Sequence, residues 1–253
     1  AGDTVTSGGA WTVNTSLALT SGTWAPGGFT HQIAGNWDDT GITFTPGAGT
    51  IRLTGTTPTI DQLGTNNFFN LTLDAGAVMN TAVDVDGALT VSANTLTTND
   101  KDLTVSGGAT VDGTLDATLQ TGSTGITGSL AGTGAANFGA GNVTVSVDVS
   151  VATFSGGSGA VDIDGDVTSA TSFTESSLTT NIAGSLTATA FTAAGGTTTF
   201  DGGGNVDVNG YTFENVEIAK TAGTDTVTSG GAWTVNTSLA LTSGTWAPGG
   251  FTH

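Results

Sequence analysis

The chain has 253 residues with 41 Gly, 53 Thr and no Cys, and 3 Lys and Arg against 21 Asp and Glu give a formal net charge of −18. So few cations cannot neutralise a nucleic-acid backbone or hold an anionic membrane surface, and no apolar run is long enough to span a bilayer as a helix. The lack of thiols excludes a disulfide framework, a thiolate metal site and a cysteine nucleophile, while 36% hydrophobic residues with only 9% charged is not the composition of a disordered acidic tail.

Ala1-Gly2-Asp3 shows no leader, and the expectation is a secreted chain whose leader is gone, or a piece of something longer. Gly22 to Asn36 reads as a long loop, and Pro26, Pro46, Pro58 and Pro248 mark turns or edges. Further on, apolar and polar residues alternate: Lys101 to Val105, Thr114 to Leu119, Ala160 to Asp164, and Asn142 to Val151 without a break. Alternation is the signature of a half-buried strand, and the polar partner is usually Thr, whose branched Cβ favours the extended backbone. Gly, Asn and Asp fall between the runs, as in Ser106-Gly107-Gly108, Ala140-Gly141-Asn142 and Asp201-Gly202-Gly203-Gly204. No window keeps a helical period. The fold class is therefore all-β with essentially no helix. Single Leu and Val residues among Ala, Thr and Gly suit the narrow tube of a β-solenoid (parallel β-helix) better than the wide core of a string of sandwiches. Strand starts recur roughly every 18–25 residues, and the chain reads as one continuous solenoid over 1–253.

The sequence repeats itself. Residues 3–31 (DTVTSGGAWTVNTSLALTSGTWAPGGFTH) recur without change as 225–253, which is 29 residues at an offset of 222. This defines a 222-residue tandem unit, expected to hold about ten rungs and to extend the tube by roughly 50 Å at ~4.8 Å per rung. Weaker echoes lie inside the unit. Phe68-Phe69-Asn70-Leu71-Thr72-Leu73 matches Phe213-Glu214-Asn215-Val216-Glu217-Ile218, and Gly87-Ala88-Leu89-Thr90-Val91 matches Gly231-Ala232-Trp233-Thr234-Val235. Phe138 with Gly141-Asn142-Val143 resembles Phe200 with Gly204-Asn205-Val206. Asn70 and Asn215 are expected to play equivalent parts in the wall, as members of stacked ladders.

Catalytic supplies are thin. The histidines are His31 and its copy His253, and the other cations are Arg52, Lys101 and Lys220. No nucleophile elbow accompanies His31, and Arg52 reads as a lone surface guanidinium. Carboxylate pairs that might serve glycoside hydrolysis are Asp38-Asp39, Asp84/Asp86 and Asp162/Asp164/Asp166. At i, i+2 they would share the solvent face of a strand and discourage sideways sheet pairing. Asp162, Asp164 and Asp166 are also the candidates for calcium, because hard oxygen ligands at a turn suit that ion, although neither the EF-hand order nor a tandem β-roll nonapeptide is present. No catalytic residue and no other cofactor is assigned, and the chain is not expected to be an enzyme. Trp11, Trp24, Trp37, Trp233 and Trp246 read as core or loop packing, with a sugar-stacking platform as the alternative. The T-x-T pairs Thr4/Thr6, Thr43/Thr45, Thr187/Thr189 and Thr197/Thr199 raise ice binding, without one fixed interval to make a flat rank.

The F-x-N-[LV]-x-[LI] and G-A-x-T-V segments, Thr114-Leu115-Asp116 and the Gly-Asn and Gly-Thr turns together resemble the β-strand-repeat proteins of bacterial cell surfaces. These include giant adhesins and the filamentous-haemagglutinin-like or autotransporter-passenger β-solenoids. The resemblance implies a structural part of an extracellular filament, surface fibre or surface layer, built by end-to-end solenoid stacking. It implies an extracellular or cell-surface location and self-association into a filament, with glycans or a host or cell surface as further partners and neither nucleic acid nor membrane insertion. The alternative is an adhesin segment that binds carbohydrate, or ice, through exposed Thr and aromatic faces.

Overall fold

A computed structural model describes residues 3–253. The described residues contain strands, turns and bends and no helix. Two neighbouring parallel strands need a crossover of a dozen or more residues, usually supplied by a helix. Here the crossover is the rest of a coil. Phe68 bridges to Val85, Leu71 pairs in parallel with Leu89, and Ala219 pairs with Ser243, so one turn takes between 17 and 24 residues. About 13 such turns stack into a parallel β-solenoid. The expected spacing of strand starts, roughly 18–25 residues, agrees with this range to within one residue at either end.

Three walls run the length of the tube. The first is traced by consecutive parallel pairs from Thr12–Val13 through Thr30–Ile33, Thr50–Leu53, Asn70–Leu73, Leu89–Val91 and Ala109–Val111 to the start of Leu130–Phe138. It continues through Val149, single bridges at Val167 and Leu186, then Val206–Val208, Thr226–Ser229 and Thr245–Ala247. The second wall starts at Leu17–Ala18 and Trp37–Asp38 and passes through Thr114–Ala117 and Ser172–Thr174 to Phe191. Thr212 and Phe213, paired with Thr234 and Val235, complete it. The third holds Thr4–Thr6, Thr23–Ala25 and Thr43–Phe44, then Phe68, Val83–Val85 and onward to Thr197–Phe200 and the far halves of Thr212–Ala219 and Thr234–Ser243. Along the chain the order is third, first, second, and again.

Strict alternation decides which side chains enter the tube. In Leu71/Leu73, Leu103/Val105, Val143/Val145 and Val161/Ile163 both apolar residues of a three- or four-residue strand are buried, with the residue between them facing out. Parallel register then stacks like on like: Val13, Ile33, Leu53, Leu73, Val91 and Val111 form one file. Each such aliphatic side chain contributes about 1.5–3 kcal/mol by leaving water. Since every rung supplies only a few, stability grows rung by rung.

Corners between walls are as tight as sterics allow. A Cβ on Gly141 would collide with the carbonyl of Gly122, and one on Gly159 with the carbonyl of Gly141, so this corner column is restricted to glycine over successive rungs. The stretch Gly22 to Asn36, read from sequence as a long loop, instead contains the strands Thr23–Ala25 and Thr30–Ile33. Gly22 at φ 91° and Gly27 at φ 70° supply the left-handed corners that let the chain turn there.

Candidate functional site

The acidic residues are mainly part of the scaffold. At a corner, the first backbone N–H of the next rung has no strand partner on its own turn. A short side chain one turn earlier accepts from it. Asn70 Oδ1 accepts from Ala88 N–H at 2.9 Å, Asn142 Oδ1 from Ala160 at 3.1 Å and Asn205 Oδ1 from Thr226 at 2.9 Å. Carboxylates do the same. Asp100 accepts from both the N–H and the hydroxyl of Thr121 at 2.8 Å, and Asp112 from those of Thr133 at 3.0 Å. These bonds, backbone donor first, hold both carboxyls below the usual carboxylate range. Asn70 and Asn215 are both half-buried and do bind neighbouring rungs, but not as an Asn ladder. Asn70 reaches forward to Ala88. Asn215 donates back to Gly196 O at 3.1 Å and accepts from the Ser238 hydroxyl at 2.8 Å.

The three calcium candidates separate at such a corner. Asp162 lies mid-strand on the third wall, facing out between Thr144 and Asn181. Burial pushes its carboxyl up, helped by the charge of Asp164 and opposed by Asn181. Asp164 and Asp166 lie past the strand end and line a polar groove with Asp148, Gly165, Gly184, Ser185 and Asn205. Two of the groove's carboxylates are engaged: Asp148 accepts from Asp166 N–H at 2.9 Å and Asp166 from Ser185 N–H at 2.7 Å. Among the described residues, no group of three or more His, Asp or Glu is gathered closely enough to hold a metal ion.

The other carboxylate pairs diverge. Asp38 turns outward to accept from Thr40, while Asp39 is fully buried and accepts from Leu63 N–H at 2.6 Å. Burial pushes Asp39 up, against that bond. Asp84 faces out from a strand of the third wall, and Asp86 accepts from Asn67 at 3.0 Å. Arg52, expected to be alone, is instead paired with Asp74 one turn later at 2.9 Å, a partly buried contact on the outer face of the first wall.

Alternation also carries polar residues inside, which the sequence reading passed over. Glu175 follows inward Phe173 by two positions and is fully buried; it accepts from the Thr198 hydroxyl and from Ala194 N–H. Burial raises its carboxyl, with the Thr198 bond opposing. Lys220 follows inward Val216 and Ile218 by the same parity and is 1% exposed, its ammonium donating to Ala183 O at 3.3 Å. Burial pulls its pKa down, against Asp225 and Asp201. His31 is 1% exposed, with Nδ1 accepting from Trp11 N–H at 3.2 Å and Nε2–H donating to Pro26 O at 3.2 Å. It ties a corner together.

The tryptophans pack in files. Trp11 stacks on Trp24 at 5.2 Å, and Trp24 lies 6.0 Å from Trp37, which meets Phe44 and Phe68 at 5.1 and 5.0 Å. A second file runs Phe138, Phe154, Phe173, Phe191 and Tyr211. Trp24, Trp37 and Trp233 are at most 3% exposed and fill the tube, whereas Trp11 and Trp246 are partly buried. Of the outward Thr pairs, Thr4/Thr6 stack on Thr23 and Ala25, and Thr43 follows on Thr23. Thr197/Thr199 stack between Thr179/Asn181 below and Asn215/Glu217 above.

The duplicated segment repeats part of its local structure, although Thr12–Val13 and Leu17–Ala18 are separate strands in the first copy and Thr234–Ser243 is one strand in the second. Thr4–Thr6 pairs with Thr23–Ala25, and Thr226, Val227 and Thr228 pair with Thr245–Ala247. Trp24 Nε1 donates to Ser7 Oγ at 3.0 Å, and Trp246 Nε1 to Ser229 Oγ at 2.9 Å. Trp11 N–H donates to His31 Nδ1, and Trp233 N–H to His253 Nδ1. Yet the first copy of the Thr4–Thr6 strand belongs to the third wall, and the second copy, Thr226–Ser229, to the first wall. Eleven complete turns carry the third wall from Thr4 to Asn215, and Thr226 comes one wall later. The unit therefore measures eleven and one third turns, more than the ten expected, or roughly 54 Å at ~4.8 Å per rung.

The architecture is that of a parallel β-solenoid. A comparison with protein families, with characterised proteins and with solved structures finds no match.

Proposed function

We propose that the chain is a non-enzymatic structural repeat of an extracellular filament, surface fibre or surface layer, in which successive units continue one solenoid end to end. The observation that carries this reading is the 29-residue segment that begins one unit and recurs at the start of the next, with the same strand pairs and the same Trp–Ser and Trp–His bonds. A tube of stacked rungs exposes unpaired strand edges at both ends, and a further rung satisfies them with main-chain hydrogen bonds. Such growth is heterologous and does not close, so it makes a fibre. A net charge of −18 keeps neighbouring tubes apart laterally. A Cys-free, Thr- and Gly-rich chain fits an extracellular or cell-surface setting. Electron microscopy of a multi-unit protein and of native material at micromolar concentration tests the reading. Filaments whose length scales with unit number support it. Compact monodisperse particles overturn it and shift the assignment to an adhesin segment, to be probed on glycan arrays and in ice-shaping assays.

A further inference from the structure

We propose that the two ends of the chain are complementary docking faces for further units of the same sequence, and that each docking advances the pattern by one wall, so a tandem array carries its surface features around the tube as a threefold screw. This rests on the filament reading and specifies its interface.

The identical segments 3–31 and 225–253 each show one half of a complete set of contacts. Segment 3–31 is covered by the rung that follows it, from Gln32 to Phe44. There Trp24 is 3% exposed, against Trp37 at 6.0 Å and Phe44 at 5.4 Å. Its leading side is open, with Val5 at 52% exposure. Segment 225–253 is covered on the opposite side, by the rung that precedes it. Val227, the counterpart of Val5, is 0% exposed, and Trp233, the counterpart of Trp11, is 2% exposed. Its trailing side is open: Leu239 and Leu241 are 40% and 57% exposed, and Trp246 is only half-buried. Overlaying the halves gives one segment covered on both sides. The occupant of the trailing face is therefore the Gln32–Phe44 rung of a following unit, and the occupant of the leading face is the Val206–Lys220 rung of a preceding one.

An apolar pocket at the leading end makes the second assignment specific. It is lined by Asp3, Val5, Trp11, Leu19, Ser21 and Thr23, together with Trp24 and Ile42. At the other copy, the counterpart of Ser21 is Ser243, and Lys220 sits against it: Lys220 N–H donates to Ser243 O at 3.1 Å and the Ser243 hydroxyl donates to Lys220 O at 2.7 Å. Asp225, the counterpart of Asp3, is the first of the two charges that favour the buried ammonium. In a preceding unit the main chain of Lys220 would therefore lie against the Ser21 side of this pocket, with its ammonium turned back toward Ala183.

The rotation follows from the wall change already described. The same segment occupies the third and first walls at its start and the first and second walls at its recurrence. Three successive units restore the original wall. Between separate chains the same docking requires 225–253 of one chain to displace 3–31 of another, because 3–31 already covers the Gln32 rung.

The test is the full chain extended after His253 by a second copy of residues 32–253, imaged by electron cryo-microscopy and probed by acrylamide quenching of Trp246, isolated as the difference from Trp246→Phe. The expected result is one unbroken tube of about twice the length. The second Arg52–Asp74 pair lies on the second wall, and quenching of Trp246 is several-fold lower than in the 253-residue chain. An unbroken tube with both pairs on the first wall overturns the screw and leaves the filament reading standing. Two tubes joined without register, with Trp246 as accessible as before, overturn the docking faces. A particle that is not tubular overturns both proposals.

Discussion

Trp24 and Trp246 are the same residue of the same segment, so replacing each with alanine isolates what a neighbouring rung is worth. Trp24 is 3% exposed, with ring neighbours Trp11 at 5.2 Å, Phe44 at 5.4 Å and Trp37 at 6.0 Å. Truncating a buried tryptophan costs about 3–5 kcal/mol through lost transfer energy and the cavity left behind. Trp246 keeps the Ser229 bond and the Trp233 and His253 rings, at 5.7 and 4.8 Å, but has no counterpart of Trp37 or Phe44. Each missing aromatic pair removes about 0.5–1.5 kcal/mol, and the half-open site leaves no closed cavity, so Trp246→Ala should cost about 1–2 kcal/mol. Equilibrium unfolding in urea gives both values, with hydrogen exchange to localise the change, because a solenoid opens from its ends before it unfolds throughout. Equal costs for the two variants would refute the reasoning that burial by the adjacent rung sets the energy.

Gly141→Ala should destabilise the tube by more than about 2 kcal/mol, since its Cβ meets the Gly122 carbonyl and the backbone must shift; a change within thermal-denaturation error would show that the corner can relax. Asn70→Ala removes the acceptor for Ala88 N–H and should cost about 0.5–2 kcal/mol, with faster exchange at Ala88 as its local signature. The pH profile should rise and then fall. Asp39, Glu175 and Asp201 are raised by burial, so they favour the fold when protonated and lose that contribution as pH climbs through their folded values. Asp100 and Asp112, lowered by hydrogen bonds, favour it when ionised and lose that contribution as pH drops through theirs. Acidifying from neutrality toward the ordinary carboxylate range, about pH 4, should therefore raise the melting temperature, aided by reduced self-repulsion, and acidification below it should lower it. A monotonic decline from neutrality would contradict this. Calcium titrated against the chain should bind no more tightly than about 1 mM at the Asp148/Asp164/Asp166 groove, because two of its carboxylates already accept backbone N–H bonds. Micromolar binding abolished by Asp164→Asn would show that the groove rearranges into a true site.

Period-two alternation is a local property, and it carried most of the architecture. Whether Leu71, Val105 or Ile163 enters the tube follows from parity alone, and Gly and Asn between the runs mark where the chain must turn. Parity also placed Glu175 and Lys220 inside, two and four positions on from inward apolar residues, although charge alone argues for the surface. What parity cannot supply is which wall a strand joins. The three walls have the same strand length and the same alternation, and a corner closes with a few residues at any of them. The wall of Thr226 thus depends on the summed length of every coil before it. The same holds for side chains at corners. Asp162, Asp164 and Asp166 share a face only while the strand continues, and the turn after Ile163 sends the last two into a different groove. Arg52 finds Asp74 only because the coil between them takes 20 residues, which stacks Thr72 on Arg52 and leaves Asp74 two positions further on. The eleven-and-one-third-turn unit is likewise a property of stacked register, fixed when hydrogen bonds between rungs commit each coil to the one below.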